Sequence, residues 1–213
     1  MTQSSPLPTR RFCLGLACLG WLLAALPQPA AAAEGSEAAE DVVLQLVGNM
    51  WRVLSADEMA EAERVSAIAE TIEAGTDTRL LGRLTLGRSW RELDDDQQKR
   101  YLKSFPKFIT STLAGQIVAA SEGVGSSLDD HFALIGSEHS GERDTVVQTE
   151  ITTPKAEALR VDWRFRERHG GLTLIDVLID GVSLLITKRN EFSAIIEQQS
   201  VDQLLIDIER AGA

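Results

Sequence analysis

The spacing of apolar residues along the chain changes twice, from a helical period to a strand period and back. Between Ala38 and Leu54 the apolar residues recur every three or four positions, which indicates one buried helix face. From Phe132 apolar residues alternate with polar ones, as in strands buried on one face. Helical spacing returns after Gly181 and continues to Ile208. This order of helices, antiparallel meander and helices predicts an α+β fold whose sheet is curved around helices or packed on them.

The third predicted strand has the clearest alternation in the chain. Apolar and charged residues alternate from Leu159 to Arg166, so one face should meet a core and the other should meet solvent. The segment 168–171, Arg-His-Gly-Gly, predicts a hairpin turn. Residues 172–179 are apolar on both faces apart from Thr173 and Asp176, and they predict a strand that is buried on both sides.

Two acidic segments in the N-terminal half predict helix starts. Residues 55–58, Ser-Ala-Asp-Glu, have the pattern of a capping box, which would open a second helix. Residues 94–97, Asp-Asp-Asp-Gln, stand where another helix should begin, because carboxylates accept hydrogen bonds from the first backbone N–H groups. We interpret them as a solvated helix start rather than a metal cluster. Pro106 should kink the helix that follows.

The first 33 residues have the three-part layout of a secretory signal. A polar start ends in Arg10 and Arg11, an apolar segment runs from Phe12 to Leu26, and a run of alanines ends at Ala33. The apolar segment holds about 15 residues, fewer than the ~20 that span a bilayer. We predict a cleaved signal peptide at 1–33 and a single domain at 34–213, exported by the general secretory or the twin-arginine route. An uncleaved anchor is the alternative.

Charge and chemistry narrow the function classes. Without Arg10 and Arg11 the chain has 19 basic and 32 acidic residues, a net charge of −13, which opposes nonspecific binding to nucleic acid or to an anionic membrane and favours a soluble monomer. The sequence contains no nucleophile elbow, phosphate loop or dinucleotide fingerprint, and its three histidines lack metal-ligand spacing. Both cysteines lie in the predicted signal. We therefore predict no enzyme, no metal and no cofactor.

The charged face of the third strand allows two interpretations. Arg160, Arg164 and Arg166 could form a solvated face interleaved with Asp162 and Glu167. Alternatively, the three arginines could form a docking patch for a partner or a headgroup on an otherwise acidic protein. The sequence leaves both open.

Several short motifs follow one another along the chain between about residues 42 and 209. They are Leu84-Thr85-Leu86-Gly87-Arg88-Ser89-Trp90-Arg91, Asp96-Gln97-Gln98, the segment Tyr101 to Phe105, Val161-Asp162-Trp163-Arg164, Asp176-Val177, Gly181-Val182-Ser183-Leu184, Arg189 and Phe192. Individually these motifs are loose, but their order and spacing are fairly specific. The ordered set resembles the MlaC family of periplasmic phospholipid carriers in the maintenance-of-lipid-asymmetry pathway. Two positions depart from the family, since Leu113 stands where a tyrosine is frequent and Pro106 is unusual inside its helix.

The resemblance implies a periplasmic carrier with N-terminal and C-terminal helices around a four-stranded antiparallel curved sheet. Acyl chains would lie in an apolar cavity between the helices and the sheet. It also implies handover between an outer-membrane lipoprotein complex and an inner-membrane ABC transporter complex. The cargo would be phospholipid, with a hopanoid or another lipid as the alternative. An adaptor module with a filled core, acting only through protein contacts, is the competing function class.

The predicted lipid-binding residues combine the apolar face of the strands with the apolar face of the long helix. Ordinary core is the competing interpretation for each of them. They are Trp90, Tyr101, Phe105, Phe108, Ile109 and Leu113 from the helical part, Val147, Val161, Trp163, Phe165 and Leu174 from the strands, and Leu184 at one end.

Overall fold

The computed structural model describes residues 30–125, 127–153 and 156–212 and confirms the predicted α+β order. Residues 1–29 of the predicted signal sequence lie outside these ranges. The elements are α1 (Ala30–Leu54), α2 (Glu61–Gly75), α3 (Thr78–Leu86), a 3-10 helix (Ser89–Arg91), α4 (Asp95–Ala120), β1 (Phe132–Ser140), β2 (Asp144–Thr153), β3 (Ala156–Arg168), β4 (Gly171–Ile179), β5 (Val182–Ser183), α5 (Leu184–Gln198) and α6 (Val201–Ala211).

The strands form one antiparallel sheet in which the spatial order β1-β2-β3-β4-β5 follows the chain. The predicted turn between β3 and β4 is confirmed: His169 and Gly170 have φ values of 52° and 77°, as a two-residue hairpin turn of type I′ requires. Strand β5 adds two residues to the four predicted strands and pairs with Leu178 and Ile179. The sheet is therefore a meander with one very short edge strand.

The two predicted helix starts have different outcomes. Asp94 forms a complete capping box with Gln97, accepting from its backbone N–H at 2.8 Å while the Gln97 side chain accepts from the Asp94 N–H at 3.1 Å. The predicted box at residues 55–58 is wrong, because α2 begins only at Glu61. The hydroxyl of Ser55 instead donates to the carbonyl of Trp51, one turn back along the chain.

A first hydrophobic cluster, here called the sheet cluster, joins α1, α2 and the C-terminal part of α4 to one face of the sheet. Within it, Trp163 Nε1 donates to Thr149 Oγ1 at 3.0 Å, and that hydroxyl donates to the Val161 carbonyl at 2.9 Å. These bonds satisfy the polar atoms that the cluster buries. Its buried members include Val43, Leu46, Ile68, Ala114, Val118, Val147, Val161, Trp163, Phe165 and Leu174.

A second cluster, the helix cluster, joins α3, the N-terminal part of α4, α5 and α6. Tyr101 stacks on Phe105 with ring centroids 5.2 Å apart, and Phe192 meets both rings edge-on. Leu113 packs against both clusters, so α4 is the wall that they share. The buried members are Leu86, Leu93, Tyr101, Phe105, Ile109, Phe192, Leu204, Leu205 and Ile208.

In the part of the chain that the structure describes, no helix has the length and apolar character needed to cross a membrane.

Candidate functional site

An apolar cleft of about 190 Å³ lies along the seam between the two clusters. Its walls come from α3, α4, β4 and α5, and its surface is mainly apolar with a few polar groups. The volume falls below the roughly 300–1,000 Å³ of ordinary small-molecule sites. The lining residues are Leu81, Thr85, Phe105, Ile109, Leu113, Gln116, Leu174, Ile175, Asp176, Val177, Leu184, Leu185, Thr187, Lys188 and Glu191.

The long helix α4 supplies one wall because its apolar residues recur at helical spacing. Phe105, Ile109 and Leu113 follow one another every four residues, so their side chains lie on one face of the helix. Phe105 and Ile109 also belong to the helix cluster. The same apolar face of α4 therefore packs in the helix cluster and lines the cleft.

A β-bulge places residues of β4 at the opposite wall. The register with β3 shifts so that Phe165 pairs with Leu174 and Arg164 pairs with Asp176, which leaves Ile175 as the extra residue. Ile175 is 4% exposed and lines the cleft together with its neighbours. Because a bulge re-aims the side chains around it, four consecutive residues of one strand reach the same cavity.

Asp176 joins β4 to the start of α5 at the edge of the cleft. Its carboxylate accepts from the Ser183 hydroxyl at 2.6 Å and from the Leu185 N–H at 3.0 Å. The Ser183 hydroxyl in turn accepts from the Ile186 N–H, which caps the helix. This carboxylate therefore holds the first turn of α5 against β4.

Side-chain hydrogen bonds hold helix α3 against α4 and α5. The Arg189 guanidinium on α5 donates to the Leu84 carbonyl at 2.6 Å and 3.2 Å. The hydroxyl of Tyr101 on α4 donates to the Gly82 carbonyl at 3.1 Å, and burial raises the pKa of this phenol. Tyr101 is thereby a buried neutral donor that holds α3 against α4.

The twelve predicted lipid-binding residues fall into three groups. Phe105, Ile109, Leu113, Leu174 and Leu184 line the cleft. Val147, Val161, Trp163 and Phe165 are buried in the sheet cluster, whereas Trp90, Tyr101 and Phe108 belong to or pack against the helix cluster. The structure thus brings five of the twelve to the cavity and places the other seven in the cores on its two sides.

Sequence reasoning missed several lining residues on α3, β4 and α5. Leu81 and Thr85 lie four residues apart on α3, a helical spacing that the sequence displays. Ile175 and Val177 come to the cleft through the bulge, for which the sequence carries no comparable signal. Lys188 and Glu191 add polar groups to the α5 wall.

The three arginines of the predicted docking patch each bind a carboxylate. Arg164 and Arg166 both donate to Asp144, at distances of 2.6–2.9 Å, and Arg160 donates to Asp162 at 2.9 Å. The hydrogen bonds from Arg166, followed by those from Arg164, hold the pKa of Asp144 below its usual value although burial acts in the opposite direction. Glu150, the cross-strand partner of Arg160, and Glu138, which acts electrostatically on Arg160, add two further anions, so this face has no surplus of positive charge.

A larger groove of about 360 Å³ between α4 and α6 is lined by charged side chains. Arg100 donates to both carboxylate oxygens of Glu209 there, at 3.0 Å and 3.1 Å. An apolar ligand would gain little from such a lining. We therefore place the candidate site at the smaller apolar cleft. Within the described ranges, no group of three or more His, Cys, Asp or Glu residues is arranged to hold a metal ion.

Comparison with known proteins identifies a matching family and a solved structure of the same fold. A family model described as MlaC protein matches residues 44–210, that is 167 of the 213 residues. A solved structure, the phospholipid-binding protein from Ralstonia solanacearum in complex with a phospholipid, has the same fold with a TM-score of 0.66 and 18% sequence identity. The match covers 82% of this chain and 96% of that one.

Proposed function

Because the chain belongs to the MlaC family, we propose that it is a periplasmic carrier that shuttles phospholipids between outer-membrane and inner-membrane complexes. Family membership and the phospholipid held by a protein of the same fold support the coarser function of a lipid-binding carrier. The observation that carries the proposal is the apolar cleft along the seam between two hydrophobic clusters.

Hydrophobic transfer energy explains why such a carrier needs an enclosed site. Two acyl chains contain about 30 methylenes, and at ~0.8 kcal/mol each their exposure to water costs on the order of 24 kcal/mol. A lipid that crosses an aqueous space must therefore be covered by apolar side chains. The stripe from Phe105 to Leu113 and the bulged segment of β4 offer such side chains on opposite walls.

A cleft of about 190 Å³ is too small for two acyl chains, so loading must widen it. We propose that the walls separate along the seam, with α3 and the part of α5 beyond its first turn on one side and β4 on the other, while the Asp176 bonds hold that first turn. Both sides of the seam are apolar, so acyl chains would replace contacts between side chains of the two clusters without exposing them to water. Phe165 and Leu174, a buried cross-strand pair in the sheet cluster, would then meet the lipid.

Handover requires contacts with a donor and an acceptor. For these we propose an outer-membrane lipoprotein complex and an inner-membrane ABC transporter complex, with β3 as one docking face for a protein partner. Arg160, Arg164 and Arg166 point to the sheet face opposite the buried residues Val161 and Trp163, where a partner could bind without covering the cleft. Asp144 and Asp162 hold the guanidinium groups in place, which reduces the side-chain entropy lost on binding.

A second candidate function is an adaptor that acts only through protein contacts. The small volume of the cleft and the full burial of Tyr101, Phe105 and Phe165 favour it, since an adaptor needs no cavity. The two functions differ in whether the purified protein carries a lipid.

The deciding experiment is native mass spectrometry of protein purified from the periplasm without detergent, with lipid extraction of the same sample. We expect a stoichiometric mass increment that resolves into phospholipid. An increment that resolves into a hopanoid would keep the carrier function and change the cargo. A bare protein mass that persists after incubation with liposomes would overturn the carrier proposal in favour of the adaptor.

A further inference from the structure

Charge is unevenly distributed over the helices. Residues 78–91, which form α3 and the 3-10 helix, contain four arginines and no Asp or Glu. Asp77 and Glu92 at the two ends lower the local surplus only to two positive charges. Residues 37–77, which contain most of α1 and all of α2, have ten acidic and two basic residues. The net charge of −11 therefore conceals one basic segment beside a strongly acidic one.

The basic segment forms the outer surface of the helix whose inner face lines the cleft. Arg79 and Arg83 lie four residues apart on α3, and both side chains are exposed. Leu81 and Thr85 each follow two residues later, about 200° around the helix, and line the cleft. The arginines and the cleft are thus separated by the thickness of one helix, about 10 Å.

The four arginines lack acidic partners. In the described ranges, no hydrogen bond or ion pair is formed by the guanidinium groups of Arg79, Arg83, Arg88 and Arg91. Arg83 instead lies over the ring of Trp90, 5.4 Å from its centroid. All four side chains are exposed, whereas Arg160, Arg164 and Arg166 on β3 are engaged by carboxylates. The guanidinium N–H groups of this segment can therefore bind an external anion.

We infer that Arg79, Arg83, Arg88 and Arg91 form a docking surface for a bilayer that contains anionic phospholipids. Guanidinium groups match phosphate oxygens with two parallel hydrogen bonds, and a half-buried tryptophan among them is typical of groups that lie at the headgroup level. The acidic helices α1 and α2 would be repelled from the same membrane, which orients the molecule with α3 toward it. The inference rests on the proposed function, because a lipid carrier has reason to approach a bilayer.

Vesicle flotation of the purified protein tests the inference. The probes are vesicles of phosphatidylcholine alone and vesicles of phosphatidylcholine and phosphatidylglycerol in equal amounts. We expect binding to the anionic vesicles at about 0.1 M salt and its loss at about 1 M salt, where the Debye length falls to ~3 Å. Replacing two arginines, Arg79→Gln with Arg83→Gln, should weaken this binding about 30-fold, as expected for two cations near a charged membrane surface.

Two further variants make the result specific. Arg79→Lys with Arg83→Lys keeps the charge and should retain most of the binding. Arg143→Gln with Arg168→Gln removes the same charge from two exposed positions at the hairpin end of the sheet and should leave vesicle binding unchanged. The inference is overturned if anionic vesicles do not bind at low salt, or if only this control variant loses binding. We would then expect an acidic protein, and not a membrane, to bind the arginines of α3.

The lipid content of each preparation, measured by native mass spectrometry, separates the two proposals. A protein that carries no lipid but floats with anionic vesicles would remove the carrier function and keep the docking surface. A protein that carries lipid but does not bind anionic vesicles would keep the carrier function and remove the docking surface.

Discussion

The main chain at Gly82 lies directly against the ring of Phe105: a Cβ atom on this glycine would stand 2.9 Å from Phe105 Cδ1. The same Cβ would be 3.1 Å from Tyr101 Cε1. Helices α3 and α4 can therefore pack this closely only without a side chain at residue 82, and Tyr101 fixes the arrangement through its hydrogen bond to the Gly82 carbonyl.

Gly82→Ala should destabilise the protein although alanine favours helices. Forcing a methyl group into this contact should cost about 1–3 kcal/mol, which exceeds the gain of up to ~1 kcal/mol in helix propensity. Urea unfolding measures the difference. The matched control is Gly115→Ala on α4, where a Cβ meets nothing within 4 Å, and this variant should be stabilised. Equal effects at both glycines would contradict the packing described.

Leu113→Glu should abolish lipid retention without unfolding the protein. Leu113 is half-buried, lines the cleft and packs against both clusters, so a carboxylate there would make the cavity unfavourable for acyl chains. The measurement is the mass increment in native mass spectrometry, with circular dichroism as the check on folding. Ile135→Glu, at a position that is 62% exposed, is the control and should retain the lipid. A folded Leu113→Glu protein that still carries lipid would place the cargo elsewhere.

The bond between Trp163 and Thr149 should appear as a coupling energy in a double-mutant cycle. Trp163→Phe and Thr149→Val each remove one partner of a hydrogen bond between buried side chains. The two changes should be coupled by about 1 kcal/mol in unfolding free energy. A parallel cycle of Thr149→Val with Phe165→Leu should be additive within about 0.5 kcal/mol. Additivity in the first cycle would argue against a bond that contributes to stability.

The free energy of unfolding should fall when Asp144 becomes protonated in acid. Its pKa is lowered in the folded protein, so its contribution is complete above the ordinary value of 3.8 and is lost as the pH falls toward the lowered value. Because its arginine partners are more than a third exposed, we expect a loss of only about 1 kcal/mol.

Asp144→Asn should therefore be less stable than the original protein at about pH 7 and should lose less stability on acidification. Urea unfolding between about pH 7 and about pH 3 measures both effects. Asp129→Asn, on an exposed loop residue, serves as the control and should keep the original acid dependence. An unchanged acid dependence in Asp144→Asn would contradict the assignment.

Features that depend on a few neighbouring residues could be predicted from the sequence. The capping box at Asp94 and the turn at His169–Gly170 are of this kind, because their geometry is set within four residues. The box at Ser55 shows the limit of such prediction. There the chain continues through a non-helical segment to Glu61, and the side chain of Arg64 donates to the carbonyls of Leu54 and Ala56. The tertiary contacts of Arg64 thus stabilise a connection that local pattern alone would make helical.

The candidate site was only partly predictable, since an apolar stripe looks the same whether it lines a cavity or fills a core. Phe105 stands on an apolar helix face and Phe165 on an apolar strand face, yet only Phe105 lines the cleft, whereas Phe165 is enclosed in the sheet cluster. The difference arises from the bulge at Ile175 and from the path of α5, which depend on long-range packing. For the same reason the sequence could not show which arginines would find carboxylate partners.

The meander also determines the order in which the parts of the molecule can form. Each strand of the sheet pairs with its predecessor in the chain, so the strands can assemble as successive hairpins with small loop-closure entropy. Helices α5 and α6 must instead return to α3 and α4, about a hundred residues away, as the bond from Arg189 to Leu84 illustrates. Distant contacts form slowly. The cleft therefore follows the boundary between a sheet whose strands pair locally and the C-terminal helices, whose contacts with α3 and α4 are distant in the chain. Along that boundary the native chain should open at a lower free energy than within either cluster.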